Sequence, residues 1–227
     1  MQHETATSDN QTNNVTLTGT ITTEVTQDNQ FYLSVPRLSG MADNIPIVLS
    51  EEIADKTTIT PGQTVSIKGQ FHSHNKIVGD RSKLMLCVYA EHMAEERLRD
   101  DTPYADHNPN LIEITGYICK APIYRTTPFN REIADLLIAV NRMPIKSDFD
   151  TRNASYERTS RSAASDYLPA IAWGRNARFS KNLLVGEKVS ISGRIQSREY
   201  QKRLDDGTVE TRTAFEVSIN SIARSES

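Results

Sequence analysis

The sequence predicts a mainly β chain made of two tandem five-stranded barrels, each with a short helix between its third and fourth strands. Three observations carry this. Short runs alternate apolar and polar residues with a period of two, as half-buried strands do. Gly, Asn, Asp and Pro clusters separate the runs and leave little room for long helices. The second half also repeats the first. PGQTVSIKGQFHS at Pro61–Ser73 lies against VGEKVSISGRIQS at Val185–Ser197 at a constant offset of 124 residues, and VTLTG at Val15–Gly19 resembles IEITG at Ile112–Gly116. Two matching segments in matching order point to a duplicated domain.

Taken in order, residues 1–13 are polar and aperiodic, and are expected to be a disordered lead. Five strands then follow in VTLTGTITTEV (Val15–Val25), FYLSV (Phe31–Val35), IPIVLS (Ile45–Ser50), TVSIKGQF (Thr64–Phe71) and KLMLCVYA (Lys83–Ala90), with a helical turn or two in EEIADKT at Glu51–Thr57. Five strands with a helix before the fourth is the order of an OB-fold. The first domain is therefore read as residues 14–93. AEERLRDDTPYADHNP at Ala94–Pro109 offers little to a core and reads as a linker, with helix-forming residues at its start. From Asn110 the elements return: NLIEITGYICKAPIY, REIADLLIAVNR, YLPAIAWG, a short helical crossing, EKVSISGRIQSREY and TAFEVSINSIA. These make a second domain at residues 110–223, leaving a tail of 224–227. Gly69, Gly116 and Gly193 fall inside strands, where glycine marks a bulge, a kink or a close backbone approach.

The net charge of −3 over 227 residues hides an asymmetry. Residues 1–93 carry −4 and residues 110–227 carry +4. No apolar run is long enough to span a bilayer, and the N-terminus lacks the basic and apolar segments of a signal peptide, so a cytoplasmic, nucleoid-associated protein is expected. Cys87 and Cys119 lie in apolar, strand-like runs and are expected to be reduced, buried thiols. No motif argues for catalysis. VGEKVS lacks the length and ending of a phosphate-cradling loop, and His72, His74 and His92 have no cysteine or carboxylate at matched spacing, so neither a cofactor nor a metal is expected.

The chemistry concentrates between Tyr167 and Tyr200. On the fourth strand of the second domain, Val189, Ile191, Gly193 and Ile195 share one face, while Lys188, Ser190, Ser192, Arg194, Gln196, Arg198 and Tyr200 share the other. On its third strand Leu168, Ala170 and Ala172 suit a core, and Tyr167, Pro169, Ile171 and Trp173 emerge opposite. An apolar outer face needs a covering. It is either more protein, with Trp173 a core residue, or a ligand with flat faces. The neighbouring Arg175, Arg178, Lys181, Arg194 and Arg198 favour an anionic ligand, and bases on a phosphate backbone fit, because stacking tolerates any sequence. The loop Met143–Asp166, with Lys146, Arg152, Arg158, Arg161, Phe149 and Tyr156, suits a flap over phosphates, and it also reads as a solvated loop. Arg142 precedes it, and Lys202 and Arg203 extend the groove along the last hairpin.

Residues 110–222 resemble the bacterial single-stranded DNA-binding protein family. The resemblance is carried by NLIEITGYICKAPIYRTT, IADLLIAVNR, YLPAIAWGRNA, LLVGEKVSISGRIQSREY and DDGTVETRTAFEVSINSIA. The first domain looks like a diverged copy. The resemblance implies sequence-tolerant wrapping of single-stranded DNA, with Tyr167, Trp173 and Tyr200 as base-stacking aromatics, and a homodimer that brings four OB domains together. A further family aromatic falls near Met143, where Phe149 or Tyr156 would substitute. The family's acidic C-terminal tip is replaced by ARSES, which implies that tail-mediated recruitment of repair enzymes is absent. Three functions remain open: protection of single-stranded DNA in replication, recombination and repair; an accessory protein-interaction module of the primosome type; and RNA binding by an OB-fold.

Overall fold

Alternation of side chains across a twisted strand lets a sheet close on itself with one face buried and the other in solvent. In the computed structural model, which describes residues 12–78, 81–96, 108–142, 165–203 and 207–225, this closure occurs twice. The first barrel comprises β1 (Asn13–Ile21), β2 (Gln30–Pro36), β3 (Ala42–Leu49), α1 (Glu51–Lys56), β4 (Thr64–Val78) and β5 (Arg81–Glu95). The second comprises β6 (Asn110–Ile118), β7 (Ile123–Thr126), β8 (Glu132–Asn141), β9 (Ser165–Trp173), α2 (Arg175–Ser180), β10 (Lys188–Arg203) and β11 (Val209–Arg224). The order β2-β3-β5-β4-β1 closes through β2–β1, and β6-β10-β11-β9-β8 closes through β6–β8. The third and fifth strands of each barrel run parallel. Both OB-folds expected from the sequence are present, each with its helix between the third and fourth strands. Among the described residues no helix is long and apolar enough to cross a membrane.

Sequence explains the elements locally. Val15, Leu17 and Ile21 of β1 point into the first core beside Phe31, Ile45, Ile67 and Phe71; Ile112, Ile118, Ile138, Val189 and Val217 build the second. Ser50 caps α1, its Oγ accepting from the Ile53 N–H at 3.3 Å, with Glu51 and Glu52 in the first turn where the helix dipole favours anions. The repeated glycines sit where the barrels turn. At Gly69 and Gly193 the hairpin register shifts by a bulge, and a Cβ would collide with the carbonyls of Tyr89 and Ser218 respectively.

Several boundaries differ from the sequence expectation. Asn13, placed in the lead, opens β1 and is buried. Ala94 and Glu95, placed in the linker as possible helix, finish β5, because the β4–β5 ladder continues to Val65 opposite Glu95. The segment read as a single strand over Asn110–Tyr124 divides at Cys119–Pro122, so β7 forms a separate hairpin with β8. Cys87 is buried as expected and Cys119 is half-buried; neither is in a disulfide.

The barrels join through an antiparallel pairing of β1 with β6 in which Val15 faces Ile112, flanked by Asn13–Ile114 and Leu17–Asn110. Val15 and Ile112 are themselves the equivalent residues of the two repeats, so this pair lies on a pseudo-twofold axis. The side chains around it obey the same symmetry. The Asn13 side-chain amide donates to the Phe71 carbonyl at 2.9 Å and accepts from the Phe71 N–H at 3.0 Å; the Asn110 amide does the same with Ile195 at 2.7 and 2.9 Å.

Farther out, each barrel inserts a buried aspartate into the other. Asp166 accepts from the Ser73 N–H at 2.7 Å and from Arg142 at 2.7 Å, while Arg142 also donates to the Ser73 carbonyl at 2.9 Å. Asp43 accepts from the Ser197 N–H at 2.7 Å and from Arg37, and Arg37 reaches the Ser197 carbonyl at 3.3 Å. Both carboxylates are 0% exposed. Burying a charge is tolerated only when it is paired and its lone pairs are filled, which fixes the two barrels in one relative position.

Candidate nucleic-acid interface

The interface is built outward from β9. Because β9 pairs antiparallel with β8, its outward residues meet those of β8 in turn: Tyr167 opposite Ala139, Pro169 opposite Leu137, Ile171 opposite Asp135 and Trp173 opposite Ile133. The result is an apolar floor with an aromatic ring at each end. Tyr167 is 48% and Trp173 42% exposed, far more than core aromatics such as Phe31 and Phe71 at no more than 1%. The alternative of Trp173 as a core residue is therefore not what the fold adopts. Ile171 corrects the expectation of a uniformly open outer face: it is only 6% exposed. The one acid on the floor, Asp135, is held by a bidentate pair with Arg125 at 2.8 and 3.1 Å, which offsets its charge.

Tyr200 lies on the β10–β11 hairpin. Beyond Gly193, β10 leaves β6 and pairs only with β11, so the hairpin continues as a two-stranded ribbon. Along β10 Val189, Ile191 and Ile195 are buried and Tyr200 is exposed at 38%, as the alternation predicts, whereas Lys188, expected on the outer face, is buried at the start of the strand. The Arg198 guanidinium lies over the Tyr200 ring at 6.0 Å and reaches Glu216 at 3.6 Å. All three aromatics expected to stack on bases thus present their rings to solvent.

The expected phosphate contacts divide into groups. Arg175, at the start of α2 beside Trp173, is exposed and has no ion-pair partner among the described residues; Arg203 is similar on the ribbon, with Lys202 half-buried beside it. Arg178 is exposed but bound to Glu132 at 2.5 Å, a surface pair of small net worth that a phosphate can compete for. Lys181 lies over the Tyr124 ring at 5.2 Å. Arg142 and Arg194 have partners at the junction of the barrels. Arg142 is committed to Asp166 and Ser73, and Arg194 to Asp43 at 3.2 Å and Gln196 at 3.0 Å, so both guanidiniums serve the seam between the barrels. Burial lowers the pKa of Arg194, as does the nearby Arg37, while Asp43 opposes them. Lys146, Phe149, Arg152, Tyr156, Arg158 and Arg161, together with Met143, lie outside the described residues.

Two residues escaped the sequence reading. Phe129 and Arg131, in the β7–β8 turn, line a hollow of about 490 Å³ together with Thr127 and Trp173. The signal that marks them is comparison of this turn with its counterpart in the first barrel. His92 does not join His72: His72 stacks on Tyr89 with centroids 5.7 Å apart, whereas His92 lies opposite Lys68 farther along the same hairpin, and no metal-ligating cluster occurs among the described residues.

A family model described as the single-strand binding protein family matches residues 109–225, the whole second barrel. The chain belongs to the single-strand binding protein family. Similar relatives include the single-stranded DNA-binding protein 1 of Staphylococcus aureus strain COL, 32% identical over 95 residues, which are 41% of this chain and 50% of that one. Another is the single-stranded DNA-binding protein of Clostridium tetani, 30% identical over 101 residues, 44% of this chain and 59% of that one. The chain thus spans about half the length of the relatives it matches.

Among solved structures, the wild-type single-stranded DNA binding protein from Thermus aquaticus superposes with a TM-score of 0.65 at 18% identity, covering 96% of this chain and 94% of that one. A deletion mutant of the same protein superposes at 0.64, covering 96% of each chain. At that identity the likeness establishes the fold, and it extends across both barrels.

Proposed function

We propose that this member of the single-strand binding protein family holds single-stranded DNA along the outer face of its second barrel, without reading its sequence, and so protects it during replication, recombination and repair. The observation that carries this is the exposure of Tyr167, Trp173 and Tyr200, with Arg175, Arg178, Arg198 and Arg203 on the adjoining helix and ribbon. Flat rings accept any base, and guanidiniums neutralise the connecting phosphates. The names of the relatives point the same way. The first barrel supports assembly and contributes little to DNA contact. Within one chain the barrels are already joined about a pseudo-twofold axis as two subunits of a symmetric pair would be, so a second copy brings the number of OB-folds to four; sedimentation of the purified chain tests that stoichiometry.

Because Trp173 is the one tryptophan, it reports binding directly. Titration with oligo-dT is expected to quench its fluorescence and to weaken as salt rises, with a log–log slope near −0.7 per phosphate contacted. Unchanged fluorescence together with no measurable affinity overturns the proposal. Competition by an oligo-ribonucleotide at equal strength redirects it to RNA.

A further inference from the structure

Each barrel closes its first hairpin with the same turn. In the second barrel the Thr127 N–H donates to the Arg131 carbonyl at 2.8 Å, the Asn130 N–H donates to the Thr127 carbonyl at 2.9 Å, and the Arg131 N–H donates to Thr127 Oγ1 at 3.0 Å, with Asn130 at φ 58°. In the first barrel Thr26, Asn29 and Gln30 make the same three bonds at 2.8, 3.0 and 3.2 Å, with Asn29 at φ 54°. Threonine supplies the side-chain acceptor and asparagine tolerates the left-handed conformation, so these two residues specify the turn. The remaining positions are free to differ, and they do. Where the first barrel has Asp28 and Gln30, the second has Phe129 and Arg131.

Phe129 is 88% exposed, so neither packing nor turn geometry accounts for it. It lines one hollow with Trp173, Arg131 and Thr127, open to solvent at the end of the apolar floor. Arg131 is exposed and has no ion-pair partner among the described residues. Two aromatic rings, a hydroxyl and an unpaired guanidinium around one hollow match the parts of a single nucleotide: a π-faced base and an anionic phosphate.

Building on the proposed function, we infer that the β7–β8 turn forms half of a nucleotide clamp: an unpaired base enters between Phe129 and Trp173, and Arg131 holds its phosphate. The first barrel, with aspartate and glutamine at these positions, has no such clamp.

The test borrows the first barrel's own residues. F129D and R131Q are expected to leave the thermal unfolding midpoint unchanged, because the sister turn carries those side chains. Affinity for a fluorescently labelled oligo-dT, measured by anisotropy, is expected to fall about tenfold or more for F129D. For R131Q the salt slope is expected to flatten by about 0.7. In a second arm, F129W combined with W173F moves the chain's one tryptophan to the turn apex, where oligo-dT is expected to quench it. If the unaltered chain binds oligo-dT, yet F129D binds equally well and the relocated tryptophan is not quenched, the clamp is wrong while the DNA-binding function stands. If the unaltered chain does not bind, the function and the clamp both fall.

Discussion

The two barrels share a ladder, a hairpin turn and a mutual seam, yet their outer faces differ at the two ends of the third strand and at the turn. The parallel pairings of the third and fifth strands, aligned through the bulges at Gly69 and Gly193, make Asn44 the counterpart of Tyr167 and Ser50 the counterpart of Trp173; the common turn makes Asp28 and Gln30 the counterparts of Phe129 and Arg131. Inward positions, by contrast, stay apolar in both: Ile45 and Ile47 of β3 correspond to Leu168 and Ala170 of β9. Under the proposed function, the difference teaches that one duplicated backbone carries two jobs. Core alternation preserves the barrel, and positions of the other parity are free to carry aromatic rings in one copy and small polar side chains in the other.

The largest effect is expected from making the second barrel resemble the first. Y167N combined with W173S should lower oligo-dT affinity by roughly a hundredfold, since each stacked ring contributes about 1–3 kcal/mol. Thermal unfolding should change little because both residues lie on the exposed outer face rather than in the core. Retained affinity would break the contrast between the barrels.

The seam offers a second comparison. D166N and D43N each remove a charged acceptor from a buried network, and each should cost about 2–3 kcal/mol in urea unfolding. D43N should cost more, because Asp43 holds Arg194 as well as Arg37. Equal costs would show that Arg194 adds nothing to the pseudo-symmetric pair.

A smaller gain is expected from N44Y, which restores one ring to the first barrel. Long oligo-dT should bind a few-fold more tightly while short oligo-dT is unaffected, as isothermal titration would register. The smallest effect separates the two cysteines. Burial, with a lesser push from Asp166, raises the Cys87 thiol to about 12, so at pH 8 it remains protonated. Iodoacetamide should label half-buried Cys119 first and reach Cys87 only as the first barrel unfolds, which peptide mass mapping would follow.

Strand alternation made much of this legible in advance. The exposure of Tyr167, Trp173 and Tyr200 follows from parity, because a strand offers only two directions. Ile171 shares that parity and is nevertheless buried, since covering an outward residue depends on neighbours that no local pattern names. The fate of Arg142 and Arg194 was hidden for a related reason: folding brings Asp166, 24 residues away, and Ser73 of the other barrel to Arg142, and it brings Asp43 of the other barrel to Arg194. Phe129 was legible in principle, because TQDNQ and TPFNR are the same turn written twice, but their likeness emerges only when hydrogen bonds align them.

By itself the sequence determined the two barrels, their helices, their bulging glycines and the aromatic edge of the second, all of which rest on spacing along one strand or on segments repeated within the chain. Tertiary structure alone decided which arginines face solvent and which are locked in the seam, and it brought the β7–β8 turn against the end of β9. The physical reason is that a guanidinium takes its role from whichever carboxylate or phosphate lies within hydrogen-bond reach, and reach across two barrels is set by folding, not by distance along the chain.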